Sequence, residues 1–303
     1  MLRKLSCALL MAGSPAMAEA PAVTTDIGAV HSLVAQVMQG VGRPEILLDQ
    51  GGDAHSFQLR PSQARQLANA DLLFWVGPEL TPWLQRAVDG IGVKGAEIQL
   101  MHAPGAILRD FDGTKALTHE DHDNHAEAAH HHEGLDPHLW LDPQNAIVWL
   151  DHIAHELAKA DPEHASQYQA NATAAKGRIA ALMAQTRQRL APVQNRAIVV
   201  SHDAYGYFAD RFGLQIAGSI RDGDAASPGA AHLQELQAKI DRAEVVCAFG
   251  EVNHEPGLLD TLFEGHDIPV GNLDPSGVSL RYGPELYGDL IANLVQSLLI
   301  CAK

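Results

Sequence analysis

Positive charge is scarce in this sequence, and long apolar runs are absent from most of it. Lys and Arg number 21 against 37 Asp and Glu, which gives a formal net charge of −16. Such an acidic surface repels phosphate backbones and anionic lipid headgroups, so it argues against nucleic-acid and membrane-surface binding and favours cationic ligands. Beyond the N-terminal segment, no run reaches the roughly 18–20 apolar residues that a membrane span needs. The sequence therefore predicts no membrane anchor in the mature protein.

Cysteine is also scarce, with three residues in the chain, and the first of them lies in an export signal. Arg3 and Lys4 form a positive segment, Leu5–Gly13 is apolar, and Ala16-Met17-Ala18 has the small residues of a cleavage site. We expect residues 1–18 to be a signal peptide that is cleaved near Ala18. The mature protein is then periplasmic, in a Gram-negative cell.

Cleavage would leave two cysteines, Cys247 and Cys301, in an oxidising compartment where disulfides persist. We expect them to pair and so to tie a predicted strand of the second half to the C-terminal helix. Metal ligation by these thiolates is the alternative. It is disfavoured because the pair lies far in sequence from every candidate metal ligand and because oxidation competes with it.

Short apolar runs alternate with amphipathic stretches in both halves of the chain, a rhythm that is typical of βαβ units and parallel sheets. In the first half the predicted strands are Ala22–Ile27, Glu45–Leu48, Asp71–Val76 and Glu97–Met101, with helices at Val30–Gln39, Ser62–Asn69 and Thr81–Val88. In the second half the predicted strands are Ala197–Val200, Leu214–Ile220, Val245–Phe249 and Ile268–Leu273, with helices at Ala204–Phe212, Ala231–Arg242, Pro256–Glu264 and Pro284–Ile300. The sequence therefore predicts an α/β protein of two lobes, each with a mainly parallel sheet.

Between the two halves the sequence predicts two helices that contain few glycines. The first is Ala146–Ala160, and the second, Pro162–Leu190, would span about 40 Å at 1.5 Å per residue. We expect a linking helix at 161–192 to join an N-terminal lobe at 19–160 to a C-terminal lobe at 193–303. A helical linker is stiffer than a flexible one, so we expect limited rotation of the lobes.

Histidine is unusually abundant, at 17 residues, and six of them fall in one low-complexity loop at 118–133. They are interleaved with Asp and Glu: His119, His122, His125, His130, His131 and His132. Imidazoles and carboxylates suit divalent metals, and nothing in the loop can build a core. We expect weak, multivalent metal capture by this loop; the alternative is a solvated polar loop.

Four further positions carry potential metal ligands outside the loop. His55 and Asp274 follow predicted strands and His202 ends one, and ligands in open α/β sheets bind at the carboxyl ends of strands. His138 lies between two prolines, which restrict the backbone around its imidazole. A single histidine of this kind is more often a hydrogen-bonded structural residue. Four such positions, two in each half, indicate a binding site.

Four segments of the chain match the motifs of a known family. Residues 52–55 read Gly-Asp-Ala-His, 136–143 read Asp-Pro-His-Leu-Trp-Leu-Asp-Pro, 201–208 read Ser-His-Asp-Ala-Tyr-Gly-Tyr-Phe, and 272–275 read Asn-Leu-Asp-Pro. Over nearly all of its mature length the chain resembles the zinc-binding periplasmic solute-binding proteins of ABC-type metal importers. The segment at 136–143 is highly specific, and the His-rich loop before it is typical of the zinc members. The resemblance implies a metal site between the lobes and a long helix that joins them.

The resemblance also implies that His55, His138, His202 and Asp274 bind the metal. Manganese-binding relatives typically carry a carboxylate where this chain has His202. Three neutral imidazoles and one carboxylate suit tetrahedral Zn²⁺, whereas Mn²⁺ prefers more oxygen ligands. Water or a neighbouring acid could take the fourth place instead of Asp274. One departure from the family pattern, Arg221-Asp222-Gly223-Asp224, affects the rim of the cleft.

The expected function is high-affinity capture of Zn²⁺ and its delivery to the permease of an ABC importer, by a monomer that is not an enzyme. A periplasmic zinc chaperone is a further candidate partner. A zinc buffer or adhesion protein of the same fold is an alternative that the sequence leaves open. A secreted zinc hydrolase is disfavoured, because no His-Glu-x-x-His motif occurs and four protein ligands leave no open coordination position.

Overall fold

Two sheets of four parallel strands make up the β-structure of the residues that the computed structural model describes, which are 20–111, 134–221, 229–242, 245–252 and 257–302. Each sheet belongs to one half of the chain, so the predicted α/β architecture of two lobes is confirmed. Within these ranges no helix has the length and apolarity to cross a membrane. The expected signal peptide and the six histidines of the His-rich loop lie outside the described residues.

The first sheet has the strand order β2-β1-β3-β4. Its strands are β1 (Val23–Thr25), β2 (Glu45–Ile46), β3 (Leu72–Trp75) and β4 (Ala96–Gln99), and the helices between them are α1 (Gly28–Val37), α2 (Pro61–Asn69) and α3 (Pro82–Ile91). β1 lies between β2 and β3, with Thr24 opposite both Glu45 and Leu73. All four residues of β3 are buried, which is typical of a central strand in a parallel sheet.

Two long helices, α4 (Pro143–Ala160) and α5 (Ala165–Leu190), follow the first sheet. α4 begins before its predicted start because Asp142 accepts a 2.8 Å hydrogen bond from the Gln144 N–H and Pro143 takes the first helical position. α5 begins after its predicted start because Pro162–His164 forms a 3₁₀ turn. With 26 residues, α5 is about 39 Å long, close to the predicted length.

The second sheet repeats the order of the first, as β6-β5-β7-β8. Its strands are β5 (Ala197–His202), β6 (Gln215–Arg221), β7 (Cys247–Glu251) and β8 (Val270–Leu273), and the helices of this half are α6 (Gly206–Phe212), α7 (Ala230–Asp241), α8 (Gly257–Leu262) and α9 (Leu286–Leu298). β5 and β7 are the central strands. β6 is added on one side of β5, and β7 and β8 are added on its other side, so the order of the strands changes direction between β5 and β7. α/β proteins bind ligands at such a point.

A buried carboxyl group joins the carboxyl ends of the two central strands in the first sheet. β1 ends at Thr25, and the Asp26 side chain that follows accepts hydrogen bonds from the N–H groups of Ile27 (2.7 Å) and Val76 (2.8 Å). Burial raises the pKa of Asp26 to about 7, although these backbone donors lower it. β1 is shorter than predicted because the chain turns out of the sheet at this residue.

Polar side chains of α5 contact helices of both lobes. Asn171 donates two 2.8 Å hydrogen bonds to the carbonyls of Val37 and Gln39, at the end of α1. Arg189, near the other end of α5, donates a 2.8 Å bond to Gln296 on α9. The long helix is therefore attached to both lobes, which supports the expectation of limited rotation.

α9 comes from the second half of the chain but packs against the first lobe as well. Ser32 on α1 donates to the Pro284 carbonyl (2.8 Å) and accepts from the Tyr287 N–H (3.0 Å), and the Tyr287 hydroxyl donates to the Trp140 carbonyl (2.7 Å). One apolar core runs through both lobes, and a smaller cluster lies between the second sheet and the helices α7 and α8. The lobe boundaries at residues 160 and 192 stay a prediction, because the shared apolar core continues across both of these positions.

Cys247 and Cys301 form the predicted disulfide, with their Cα atoms 5.7 Å apart. Cys247 begins β7, and Cys301 lies in the 3₁₀ turn Leu299–Ala302 that follows α9. Both residues are buried. The bond therefore fastens the C-terminal turn to a central strand of the second sheet.

Replacing both cysteines with alanine (C247A/C301A) should lower the free energy of unfolding by about 2–4 kcal/mol. The physical reason is that the disulfide restricts a loop of 54 residues in the unfolded chain. Chemical denaturation followed by circular dichroism measures the difference, and reduced wild-type protein is the matched control, which should unfold like the variant. Equal unfolding free energies for oxidised and reduced wild-type protein would contradict the prediction.

Candidate metal centre

Three histidines from separate parts of the chain meet in a cavity between the lobes. The ring centroids of His55 and His138 are 5.5 Å apart, those of His55 and His202 5.6 Å, and those of His138 and His202 5.0 Å. Each ring offers a nitrogen, and the three nitrogens lie within 4.8 Å of one another. Among the residues with described positions, no other set of three His, Cys, Asp or Glu side chains brings its ligand atoms this close. The cavity has a volume of about 260 Å³.

His55 lies in the loop after β2, and two contacts hold this loop. The His55 N–H donates to the Asp53 carboxylate (2.9 Å) and forms a local turn. The Trp83 indole N–H donates to the Ala54 carbonyl (2.8 Å), while its ring packs edge-on against Phe57. His55 is half-buried and is the most exposed of the three histidines.

His138 is almost fully buried, and a carboxylate orients its ring. Asp136 Oδ1 accepts a bond from the His138 backbone N–H (3.0 Å) and lies 2.8 Å from the ring Nδ1. This contact places the proton on Nδ1, so Nε2 is the nitrogen with which His138 can coordinate a metal. The Asp-Pro-His motif therefore contains both a ligand and the acid that orients it.

His202 ends β5 at the carboxyl edge of the sheet, as predicted. Its Nδ1 lies 3.3 Å from Oε1 of Glu251, which ends the neighbouring strand β7. The Tyr205 hydroxyl donates a 2.9 Å hydrogen bond to the same oxygen. Burial and then the negative charge of Glu251 raise the pKa of Tyr205 well above its usual value, so the hydroxyl keeps its proton and remains a donor. Glu251 therefore lies next to His202 and also lines the cavity.

Sequence analysis missed Glu251 and the orienting role of Asp136. Glu251 comes two residues after the predicted strand Val245–Phe249, so the strand-end rule that located His202 would also have located this acid. Asp136 lies in the family motif, but the sequence does not show that its carboxylate faces the His138 ring.

Asp274 lines the same cavity, and its carboxylate also holds its own loop. Oδ1 accepts a bond from the Val278 N–H (2.9 Å), and Oδ2 accepts bonds from the N–H (2.9 Å) and hydroxyl (2.5 Å) of Ser279. Asp274 is not part of the close group that the three histidines form. A carboxylate oxygen has about two acceptor positions, so Oδ1 keeps one with which it can bind a metal.

Two side chains of the first lobe reach across the cavity to the loop that carries Asp274. The Trp140 indole N–H donates to the Pro275 carbonyl (2.8 Å). The Gln50 amide donates to two carbonyls further along that loop, at 3.1 and 2.9 Å. The first lobe therefore helps to position the candidate ligand of the second.

Buried acids around the cavity make it suitable for a cation. Burial and the charge of Asp136 raise the pKa of Asp203 to about 6, against the opposing charge of Arg109. Glu251 and Asp274 are buried and line the cavity. Several carboxylates beside three imidazoles stabilise a divalent cation because they offer both charge and ligand atoms.

The chain is similar to known proteins over almost its full length. A family model for the periplasmic component A of the zinc-uptake complex, ZnuA, matches residues 23–301. The high-affinity zinc uptake system protein ZnuA of Paracoccus denitrificans is 45% identical over 314 residues, which cover 98% of this chain and 96% of that protein. The protein of the same name from Brucella abortus is 37% identical over 313 residues, covering 95% and 94%. The periplasmic zinc-binding protein TroA of Treponema pallidum has the same fold, with a TM-score of 0.76 at 19% identity, covering 93% of this chain and 99% of that one.

Replacing His138 with alanine should lower the affinity for Zn²⁺ by more than about 100-fold. Loss of a residue that hydrogen-bonds a metal ligand typically lowers the metal affinity by about 10–100-fold. This change removes the ligand itself, so the loss should be larger. Competition titration against a zinc-binding dye measures the effect. His155→Ala is the matched control, because it removes an exposed histidine of α4 and should leave the affinity unchanged. Equal affinities for the two variants, or wild-type binding of Mn²⁺ as tight as that of Zn²⁺, would show that the ligand assignment is wrong.

Proposed function

The chain belongs to the ZnuA family of periplasmic zinc-uptake components, and we propose that it captures Zn²⁺ in the periplasm and delivers it to the permease of an ABC importer. The observation that carries this proposal is the convergence of His55, His138 and His202 on one cavity between the lobes. Relatives that match almost its whole length are named for high-affinity zinc uptake. The family consists of metal-binding transport components and not of enzymes.

The proposed ligands are the three histidines, with Asp274 as the fourth. Neutral imidazoles with one carboxylate form a tetrahedral site for Zn²⁺, whereas Mn²⁺ is bound more tightly by sites with more oxygen ligands. Glu251 also lines the cavity and is the neighbouring acid that could replace Asp274 in the fourth position. Four protein ligands leave no open coordination position, so the site suits capture of the ion and not hydrolysis of a substrate.

The His-rich loop has an auxiliary role in this proposal. The residues on either side of it are held together, since Asp110 pairs with Leu135 in an antiparallel bridge and the Asp136 N–H donates to the Arg109 carbonyl (3.0 Å). His138 follows directly. Metal that the loop histidines capture weakly is therefore released close to the cavity.

Local ordering of loops, with little rotation of the lobes, accompanies binding and release. α5 contacts both lobes, and the apolar core continues between them. We expect the segments that respond to the ion to be those around the ligands, at 50–58, 118–140, 200–208 and 272–277. The importer would then distinguish the loaded protein by the surface of these loops.

The proposal has three finer parts. The signal peptide is cleaved near Ala18, the mature protein is a monomer, and a periplasmic zinc chaperone can load it. The basic, apolar and small-residue segments at the N-terminus support the first part.

Zinc uptake in cells should depend on this chain and on its metal centre. In a strain without the gene, wild-type protein should restore uptake of radioactive zinc and growth under zinc limitation, and His138→Ala should restore neither. The His155→Ala protein is the control that should behave as wild type. If the protein were a zinc buffer or an adhesion protein of the same fold, deletion would leave the rate of zinc uptake unchanged.

Small-angle X-ray scattering of the metal-free and zinc-loaded protein should give nearly coincident curves, because the shared core and α5 hold the lobes together. Hydrogen exchange should slow on loading in the four segments around the ligands, while α5 stays protected in both states. Mg²⁺ in place of Zn²⁺ is the control and should change neither measurement. A large decrease in the radius of gyration, or exchange changes concentrated in α5, would contradict the rigid link.

A further inference from the structure

The carboxylate that orients His138 is itself held by an arginine from a different segment of the chain. Asp136 has no solvent exposure, and its Oδ2 accepts a 2.8 Å bond from Arg109 Nη1 while its Oδ1 faces the His138 ring. The Arg109 side chain is only 10% exposed. A buried carboxylate needs a charge partner or donors to stay in place, so Arg109 determines whether Asp136 can hold the imidazole.

The guanidinium of Arg109 packs against the second lobe at Gly206, in space that a larger side chain would fill. Gly206 opens α6, and a Cβ atom at this position would overlap the guanidinium. The Tyr207 ring lies beside it, with its centroid 5.7 Å from Arg109 Cζ, and Asp210 Oδ2 is 3.3 Å from Nε. The Tyr207 hydroxyl accepts from the Arg109 backbone N–H (3.1 Å) and donates to the Asp136 carbonyl (3.0 Å). The arginine thus joins the support of His138 to the start of α6.

The start of α6 is also close in sequence to the second-lobe ligand. His202 ends β5, and Gly206 begins α6 four residues later. Arg109 therefore connects the orienting acid of a first-lobe ligand to the element that follows a second-lobe ligand. The rings of His138 and His202, whose supports it joins, have the smallest centroid separation of the three pairs, at 5.0 Å.

We propose that Arg109 is a positioning residue of the metal centre: through Asp136 it sets the orientation of the His138 ring, and through its seat at Gly206 it holds that ring in register with His202. This inference rests on the proposed role of His138 as a zinc ligand. It assigns to Arg109 a part in metal affinity, although Arg109 is not among the residues that line the cavity.

Arg109→Met should lower the affinity for Zn²⁺ by about 10–100-fold, the usual cost of losing a residue behind a metal ligand. The variant should also change the visible absorption spectrum of the Co²⁺-loaded protein, and long-range ¹H–¹⁵N NMR should show that His138 Nδ1 no longer carries a fixed proton. Arg109→Lys keeps the positive charge and should recover part of the affinity.

Arg211→Met is the matched control. Arg211 lies on α6 and, like Arg109, bonds a first-lobe carboxylate. Its Nε and Nη2 donate to Asp142 at 2.7 Å each, but Asp142 caps α4 and does not face a metal ligand. This variant should lose thermal stability while it keeps the zinc affinity and the Co²⁺ spectrum of the wild type. If both variants lost zinc affinity in proportion to stability, Arg109 would be a structural residue only.

Gly206→Ala tests the same inference without changing any charge, and it serves if Arg109→Met does not fold. The added methyl group should displace the guanidinium and lower zinc affinity with a changed Co²⁺ spectrum. Wild-type affinity and spectrum in Gly206→Ala, or in a folded Arg109→Met, would overturn the inference. If His138→Ala also bound zinc like the wild type, the ligand set itself would be wrong; if only that variant lost zinc, the ligand set would stand and Arg109 would have no positioning role.

Discussion

The two lobes share one apolar core, and the geometry of the metal centre depends on it. His55 and His138 come from the first half of the chain, whereas His202 and Asp274 come from the second. The distances between these two pairs of side chains therefore depend on how the lobes are positioned relative to each other. That relation is set by packing and by hydrogen bonds of α5 and α9 with both halves. Because packed interiors resist deformation, the lobes keep this relation before any ion arrives, and only the loops that carry the ligands need to become ordered.

Each of the two most buried histidines has a carboxylate close to its Nδ1 atom. Asp136 faces His138 and Glu251 faces His202, and each acid has a further partner, Arg109 in one case and Tyr205 in the other. The bond between Asp136 and His138 Nδ1 also fixes which nitrogen of that ring can meet the metal. Little of the binding free energy is then needed to orient the His138 ring, and the ordering that accompanies binding is confined to the loops.

Most of the fold and the three histidines of the site could be predicted from local patterns. The alternation of apolar runs indicated both sheets, and the rule that ligands gather at the carboxyl ends of strands located His202 correctly at the end of β5. Asp142-Pro143 was a usable signal for the start of α4, since the acid caps the helix and the proline fits its first turn.

The supports of the site could not be predicted in this way. The contact between Arg109 and Tyr207 joins residues 98 positions apart in different lobes, and no periodicity along the chain encodes which side chains meet there.

The order of the elements along the chain also matters for how the protein is made. Ser32 bonds partners 252 and 255 residues further along, so the first lobe is synthesised long before α9 can cover α1. Cys301, which closes the disulfide with Cys247, lies in the turn that follows α9. A chain that lacks α9 and the turn after it therefore leaves apolar surface of α1 uncovered and Cys247 without its disulfide partner.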